Sequence, residues 1–240
     1  MRYPFISLGL GFLASFVAPM AQGFEIESET FYEVAAPARE INIISTADKD
    51  VFAPVLLAFQ AENPGVSVRY TVVSSTELMT AIETEGVPFD IALSSAMDLQ
   101  TKLANDGYTQ PYRSAATAAL PDWAKWRDHI FSFTREPATI VVSTSAFEGL
   151  EVPKNRQGLI ALLRENADRF QGRVGTYDVR QSGLGYLFAT QDSRSSEIYW
   201  RLTEVMGRLG TRLYCCSSDM IRDVSEGRIA VAYNVLGSYA

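Results

Sequence analysis

The segment 172–188 combines an arginine with a Ser-Gly pair at the point where a strand pattern gives way to a helix pattern. A short extended run ends at Tyr177, Arg180 follows in a polar turn, and Ser182 and Gly183 precede an apolar helical pattern. The first turn of a helix has unpaired backbone N–H groups and partial positive charge, so this arrangement would suit a small anion. The alternative is that Ser182 only caps the helix and Gly183 allows close packing.

The same combination of strand end, hydroxyl groups and helix start recurs in the first half of the chain. Hydroxyl pairs follow the predicted strands at 41–44, 66–73 and 89–93, whereas residues 24–40 are acidic and are read as an irregular lead-in. Alternating strands and helices predict a parallel sheet with right-handed crossovers, which binds ligands at the carboxyl ends of its strands. The recurrence therefore favours a ligand site over isolated helix caps. The hydroxyl pairs are Ser45-Thr46, Ser74-Ser75 and Ser94-Ser95.

Two cysteines, Cys215 and Cys216, are adjacent in the sequence. Neighbouring residues can form a disulfide only through a small strained ring, so we expect a pair of thiols, at least one of them buried. We expect no metal site there, because His129 is the only histidine and no further cysteine is available as a ligand.

The sequence predicts neither an enzyme nor a cofactor. Serine catalysis needs a base beside the serine, but His129 lies in an aromatic loop and no Gly-x-Ser-x-Gly motif occurs. The nucleotide-binding motif Gly-x-x-x-x-Gly-Lys does not occur either. A carboxylate pair such as Asp178 and Asp48 is conceivable, although acidic residues are more often solvated or capping.

The first 23 residues have the pattern of a secretory signal peptide. Arg2 precedes an apolar run at 5–17, and Ala21-Gln22-Gly23 offers small residues for cleavage. The run is shorter than the roughly 20 residues that cross a bilayer, so we expect cleavage near Gly23, or after Ala21, and a soluble periplasmic protein. The formal charge of −7 disfavours nucleic acid and anionic membrane surfaces as partners, and we expect a monomer.

An aromatic segment interrupts the alternation of strands and helices, which then resumes. We therefore predict an α/β fold of two lobes, residues 24–135 and 136–234. The second lobe contains an amphipathic helical pattern at 198–209 and a last strand at 229–233, which is directly followed by Asn234. The apolar content of 47% is sufficient for a substantial buried core.

Five short motifs occur in order along the two lobes. They are Ala-Phe-Gln-Ala-Glu-Asn-Pro-Gly-Val-Ser-Val at 58–68, Pro88-Phe89-Asp90-Ile91 with Ser94-Ser95, Leu103-Ala104-Asn105-Asp106-Gly107, Tyr177-Asp178 with Ser182-Gly183, and Ala232-Tyr233-Asn234. In this order and spacing the chain resembles periplasmic solute-binding proteins of ABC importers, from the class that includes ferric-ion, phosphonate and sugar-phosphate binders. The resemblance covers about residues 41–240.

The resemblance implies a type 2 periplasmic-binding fold, in which two lobes with parallel-rich sheets close over a ligand. It also implies docking on a membrane permease, and presentation of the closed form to a sensor-kinase ectodomain is the alternative. Carried over position by position, the pocket consists of hydroxyls, helix N-termini and one guanidinium, which suit a small anionic solute. Its residues would be Ser45, Asp48, Ser74, Ser95, Arg180, Ser182, Gly183, Tyr233 and Asn234.

Two departures from the family pattern modify this expectation. Ferric binders carry an adjacent tyrosine pair near the last strand, whereas Asn234 follows Tyr233 here, which disfavours Fe(III). Members of the family are also longer, and their chains return to the first lobe after completing the second. Residues 235–240 would begin that return, so we expect a chain that is truncated at its C-terminus and a first lobe that is incomplete.

Overall fold

The computed structural model describes residues 23–240 and has a mixed α/β architecture. The predicted signal peptide lies outside the described residues, except for Gly23. Within the described part of the chain, no helix has both the length and the apolar character needed to cross a membrane. Two four-stranded sheets with flanking helices form two lobes, which confirms the predicted α/β fold with parallel-rich sheets.

Residues 28–105 form the first sheet and its helices. The elements are β1 (Ser28–Tyr32), β2 (Arg39–Ser45), α1 (Lys49–Glu62), β3 (Val66–Val72), α2 (Ser75–Met79), a π-helical segment (Thr80–Thr84), β4 (Ile91–Leu93) and α3 (Met97–Asn105). The strand order is β1-β3-β2-β4, and β2 is parallel to both of its neighbours. The carboxyl ends of β2, β3 and β4 therefore meet at one edge of the sheet, as the alternation of strands and helices predicts.

β1 lies in the segment that the sequence analysis treats as irregular. It pairs antiparallel with β3, from Ser28 opposite Val72 to Tyr32 opposite Val68. Its residues alternate between half-buried and exposed, and Tyr32 packs on the core of the lobe. The acidic content of the segment hides this alternation, which is typical of a strand with one covered face. The strand gives the outer edge of β3 a hydrogen-bonding partner.

Side chains from both faces of the first sheet form its core. Ile43 packs with Leu56 and Tyr70 on one face, and its neighbour Ile44 packs with Leu78 on the other. Successive residues of a strand point to opposite faces, so one short apolar strand serves both halves of the core. Helices therefore cover both faces of the sheet and leave the strand ends open for a ligand site.

The connection between the lobes contains a short helix and a small hairpin. The elements are α4 (Ala115–Ala119), β5 (Lys125–Trp126) and β6 (Ile130–Phe131). Arg127 and Asp128, at the tip of the hairpin, have positive φ angles of 49° and 59°. The chain then enters the second sheet.

Residues 138–236 form the second sheet and its helices. The elements are β7 (Ala138–Val142), α5 (Arg156–Glu165), α6 (Ala167–Phe170), β8 (Val174–Tyr177), α7 (Gly183–Ser195), α8 (Ile198–Arg208), β9 (Arg212–Tyr214), α9 (Ser217–Ser225) and β10 (Val231–Leu236). The strand order is β7-β10-β8-β9, in which only β7 is antiparallel to its neighbour. β10 has an irregularity between Tyr233 and Val235, where Asn234 has a φ of 65°.

Candidate functional site

Loops at the strand ends of both sheets line one small cavity of about 50 Å³. Thr46 and Ser95 follow strands of the first sheet, and Ser182 and the two cysteines follow β8 and β9 of the second. Sheets of this kind bind ligands at the carboxyl ends of their parallel strands, so the cavity has the expected position for a site. It is lined by Glu27, Thr46, Asp48, Val73, Ser74, Ser75, Ser95, Tyr177, Ser182, Leu184, Cys215, Cys216, Ser217, Leu236 and Tyr239.

A wider cleft of about 930 Å³ shares six lining residues with this cavity, and acidic side chains dominate it. Its basic residues are Lys49 and Arg222. Partial desolvation raises the pKa of Glu27, and the neighbouring carboxylates of Asp48, Asp219 and Glu25 raise it further. The residues that line the cleft thus include six acidic and two basic side chains. The acidic lining residues are Glu25, Glu27, Asp48, Asp50, Glu77 and Asp219.

Four of the nine predicted site residues line the cavity, namely Asp48, Ser74, Ser95 and Ser182. Ser74 caps α2 by accepting the N–H of Glu77 at 3.2 Å, and Ser182 caps α7 by accepting the N–H of Gly185 at 3.1 Å. Asp48 precedes α1 without a capping bond from its side chain. Each of the two serines therefore caps a helix and also lines the cavity. That these four residues contact a solute stays a prediction.

Ser45 lies inside the first lobe and does not line the cavity. Its side chain is fully buried and its Oγ accepts the hydroxyl of Tyr70 at 2.7 Å and the N–H of Ala47 at 3.0 Å. Burial raises the pKa of Tyr70 to about 12, so this phenol stays protonated and donates to Ser45. Ser45 thus fixes the start of the loop after β2, and Thr46 is the hydroxyl that reaches the cavity.

Arg180 also lies outside the lining of the cavity and of the cleft. Its Nε and Nη2 donate to the two carboxylate oxygens of Asp178 at 2.9 and 2.6 Å, while the arginine side chain remains 77% exposed. The guanidinium lowers the pKa of Asp178 to about 2. The sequence predicts that Arg180 binds an anionic solute, but its positive charge is neutralised by the carboxylate of Asp178, two residues away.

Tyr233 and Asn234 face the interior of the second lobe rather than the cavity. The hydroxyl of Tyr233 donates to Asp192 at 2.8 Å and accepts from Nε of Arg156 at 2.7 Å. The side-chain amide of Asn234 donates to the same oxygen of Asp192 at 3.0 Å. Burial raises the pKa of Tyr233, and the tyrosine packs with Phe170 and the core of the lobe. We therefore do not assign this pair to the site.

Gly183 forms a direct contact between the lobes. Its N–H donates to Oγ of Ser75 at 2.6 Å, and nearby the hydroxyl of Thr76 donates to the carbonyl of Gln181 at 3.1 Å. A Cβ atom at position 183 would lie 2.6 Å from Cδ1 of Leu99 and 2.8 Å from Oγ of Ser75. The glycine is therefore required for close approach of the lobes. This is the packing role that the sequence offers as the alternative to anion binding. Its N–H is already used by the other lobe.

Several cavity residues were not selected from the sequence. Tyr177 and Ser217 lie 2.5 Å apart through their hydroxyl oxygens, and the N–H of Leu236 donates to Ser217 at 3.3 Å. The hydroxyl of Tyr239 accepts the N–H of Asp48 at 3.3 Å. Ser217 follows a strand and begins a helix, so the pattern that selected Ser182 could have identified it. Tyr239 carries no such signal, because its contact joins the end of the chain to the other lobe.

The adjacent cysteines form a disulfide, so the expectation of two thiols is wrong. Cys215 and Cys216 have Cα atoms 3.8 Å apart, and both side chains are half-buried at the cavity. An oxidising environment favours the bonded state even where the ring that it closes is small and strained. The two residues are neighbours, so the bond closes no loop of the chain. An ordinary structural disulfide, in contrast, joins residues that are distant in the sequence.

Comparisons with known proteins agree with this architecture. The sequence profile of a family described as bacterial extracellular solute-binding protein matches residues 29–203, which is more than half of the chain. The crystal structure of a substrate-binding protein of an ABC transporter from Agrobacterium tumefaciens is 33% identical, with a TM-score of 0.85, and the match covers 88% of this chain and 65% of that chain. A search of curated protein sequences finds no match.

More distant structures share the fold. The ferric binding protein from Campylobacter jejuni is 20% identical, with a TM-score of 0.60 and coverage of 81% of this chain and 61% of that chain. The periplasmic binding protein AfuA from Actinobacillus pleuropneumoniae, with fructose-6-phosphate bound, is 16% identical, with a TM-score of 0.62 and coverage of 82% and 63%. The chain thus spans less than two thirds of the length of these structures.

Proposed function

Because the chain belongs to the bacterial extracellular solute-binding proteins, we propose that it captures a small solute between its lobes and delivers it to the membrane permease of an ABC importer. The observation that supports this proposal most directly is the shared cavity, which loops from the strand ends of both sheets line. Its polar groups are hydroxyls, backbone groups and carboxylates, and they can orient a solute by hydrogen bonds. Export to the periplasm, with removal of the predicted signal peptide, is part of the proposal.

Contact between the lobes supports capture by closure. The bond from Gly183 to Ser75 and the bond from Thr76 to Gln181 join the lobes beside the cavity. A solute held there would be enclosed from two sides and removed from water, which strengthens its polar contacts. Separation of the lobes would then release it to the permease.

The charges of the site support a solute without net negative charge. Arg180 is paired with Asp178 away from the cavity, and the charged residues of the cavity lining are Glu27 and Asp48. An anion placed there would be repelled by two carboxylates. We therefore propose a neutral or positively charged solute in place of the anion that Arg180 suggests in the sequence. The likeness to the sugar-phosphate and ferric binders shows the fold alone.

A role in catalysis has little support at this cavity. Among the described residues that line it there is no histidine that could act as a base for a serine. The alternative output, presentation of the closed form to a sensor kinase, is not favoured by any contact or charge in the described residues. We therefore propose binding and transfer without chemical change of the solute.

Native mass spectrometry of the chain purified from its host tests capture, and a thermal-shift screen tests the charge of the solute. We expect a bound small molecule and a rise in melting temperature with neutral solutes or organic amines, because a ligand of the folded state stabilises it. Absence of both a bound molecule and any shift would overturn capture. A shift with phosphorylated or carboxylated solutes alone would overturn only the charge proposal.

Asp48→Asn is the matched test of the cavity. We expect it to weaken binding of a cationic solute about tenfold or more, because a hydrogen bond to a charged group contributes about 1.5–3 kcal/mol. Asp168→Asn is the control, since Asp168 is exposed on α6 and lies outside the cavity. Equal effects of the two substitutions would argue against a solute at Asp48.

Cross-linking in host membranes tests the partner of the protein. It should capture the permease, whereas capture of a sensor kinase alone would support the alternative output.

A further inference from the structure

The disulfide between Cys215 and Cys216 occupies an unusual position for a bond that stabilises a fold. Cys215 directly follows β9, Cys216 directly precedes α9, and both line the cavity and the wider cleft. A cross-link stabilises a protein mainly by shortening the loop between its residues in the unfolded chain, and neighbours have no such loop. The bond therefore contributes little to chain stability, and its place at the cleft calls for another explanation.

Asp219 supplies a third metal-ligating group at the same place. Its Oδ2 lies 3.6 Å from Sγ of Cys215, and one donor atom from each of Cys215, Cys216 and Asp219 lies within 4.8 Å of the others. The other oxygen of Asp219 accepts from Nη2 of Arg222 at 2.5 Å, which orients the carboxylate and leaves Oδ2 directed at the cysteine. The carboxylate of Asp219 thus supplies the third ligand that histidine and further cysteines do not provide here.

The surroundings favour a cation. Glu27 and Asp48 line the same cavity, and six of the eight charged residues of the wider cleft are acidic. Both cysteines are half-buried residues that line the wider cleft, so a reductant and an ion can approach them from there. Thiolates select soft metals, and three protein ligands with one open position are a common arrangement for Zn²⁺.

We propose that the Cys215–Cys216 pair is a thiol–disulfide switch whose reduced form binds a soft divalent cation through both sulfurs and the Asp219 carboxylate. A dithiol supplies the two electrons and two protons: the S–S bond breaks, each sulfur gains a hydrogen, and the dithiol closes to its own disulfide. Binding of the cation then releases both thiol protons to solvent. The oxidised form has no thiolate and does not bind the ion.

The test uses the full chain, reduced with a water-soluble phosphine and then freed of reductant without air. Thiols are counted, Cd²⁺ is added, and the sulfur-to-cadmium charge-transfer absorption is followed. We expect two thiols and one bound Cd²⁺ per chain after reduction, and neither in the oxidised chain. If the folded chain yields no thiols, or its reduced form gives no absorption, the proposal is overturned.

Variants distinguish cadmium binding by the folded site from binding by two neighbouring thiols alone. Cys215→Ser and Cys216→Ser should each weaken Cd²⁺ binding at least tenfold, because one thiolate is lost. Asp219→Asn should retain the absorption but weaken binding several-fold, whereas Asp168→Asn should bind as the parent chain does. Binding by Asp219→Asn equal to that of the parent, or equal affinity in urea, would overturn the proposal. The test contains no solute, so its outcome is independent of solute capture.

Discussion

Oγ of Ser75 accepts a hydrogen bond from the N–H of Gly183 at 2.6 Å, and the two residues belong to different lobes. Ser75 is the first residue of α2, and Gly183 is the first residue of α7. The contact therefore joins two helix N-termini directly beside the cavity. It uses the N–H of Gly183 and the hydroxyl of Ser75, so neither group is free to bind a solute while the contact is formed.

Gly183→Ala should separate the lobes. The added Cβ would overlap Leu99 and Ser75, both in the first lobe, while the substitution introduces no positive-φ strain. We expect a larger radius of gyration by small-angle X-ray scattering and weaker solute binding. Gly207→Ala is the control, because a Cβ at Gly207 in α8 meets nothing within 4 Å. An unchanged radius with parental binding would show that the lobes do not depend on this contact.

Ser182→Ala should distinguish a helix cap from a solute contact. Removal of a serine cap costs about 1 kcal/mol, so the free energy of unfolding should fall by about that amount. Asn155→Ala removes a comparable cap on α5, where Asn155 accepts the N–H of Gly158 at 2.8 Å outside the cavity. Both variants should lose similar stability in urea unfolding, but only Ser182→Ala should weaken solute binding by calorimetry. Parental binding by Ser182→Ala would reduce Ser182 to a cap.

Tyr233→Phe should destabilise the second lobe without affecting the site. The hydroxyl bridges Asp192 and Arg156 in a largely buried network, and its loss leaves both charged groups with one partner fewer. We expect a loss of about 1–3 kcal/mol in the free energy of unfolding. Tyr186→Phe, at a residue that is 53% exposed, should change stability by less than about 0.5 kcal/mol. A change in solute affinity in Tyr233→Phe would place this tyrosine at the site after all.

Arg180→Ala should change the acid titration of Asp178. The arginine lowers the pKa of the folded-state carboxyl to about 2, below the unfolded value of about 3.9. The pair therefore stabilises the fold above the unfolded pKa, and this contribution is lost as the pH falls towards 2. In Arg180→Ala the pKa should return towards its usual value, as measured by NMR of the carboxyl carbon, while solute binding is unchanged.

Arg201→Ala is the control for that titration, since Arg201 is exposed on α8. It should leave the pKa of Asp178 unchanged. A loss of solute binding in Arg180→Ala that Arg201→Ala does not reproduce would restore Arg180 to the site.

The sequence is a good guide to the fold because the signals that matter there are local and periodic. Hydrophobic periodicity and the polar groups between strands and helices predict the alternation that makes each sheet parallel-rich. β1 is not predicted from the sequence, because its five residues have acidic neighbours and show too weak an alternation of apolar and polar side chains. Its existence depends on the exposed edge of β3, which is a property of the assembled sheet.

Residue roles at the site are less predictable, because they depend on contacts that sequence order does not reveal. Arg180 has the right type and place for anion binding, yet Asp178 two residues away binds it. Tyr233 stands near the end of the last strand, but it packs into the core and binds Asp192. Hydroxyls at strand ends are the more dependable signal, since the topology of the sheet brings them to one edge whatever their partners are.

Both sheets end on one side in a strand of only three residues, β4 in the first and β9 in the second. An unpaired strand edge is a template on which another polypeptide can add a strand, and the hazard increases with its length. Three residues offer too few backbone groups for a lasting intermolecular ladder. The brevity of β4 and β9 therefore limits strand addition by other polypeptides at these two sheet edges.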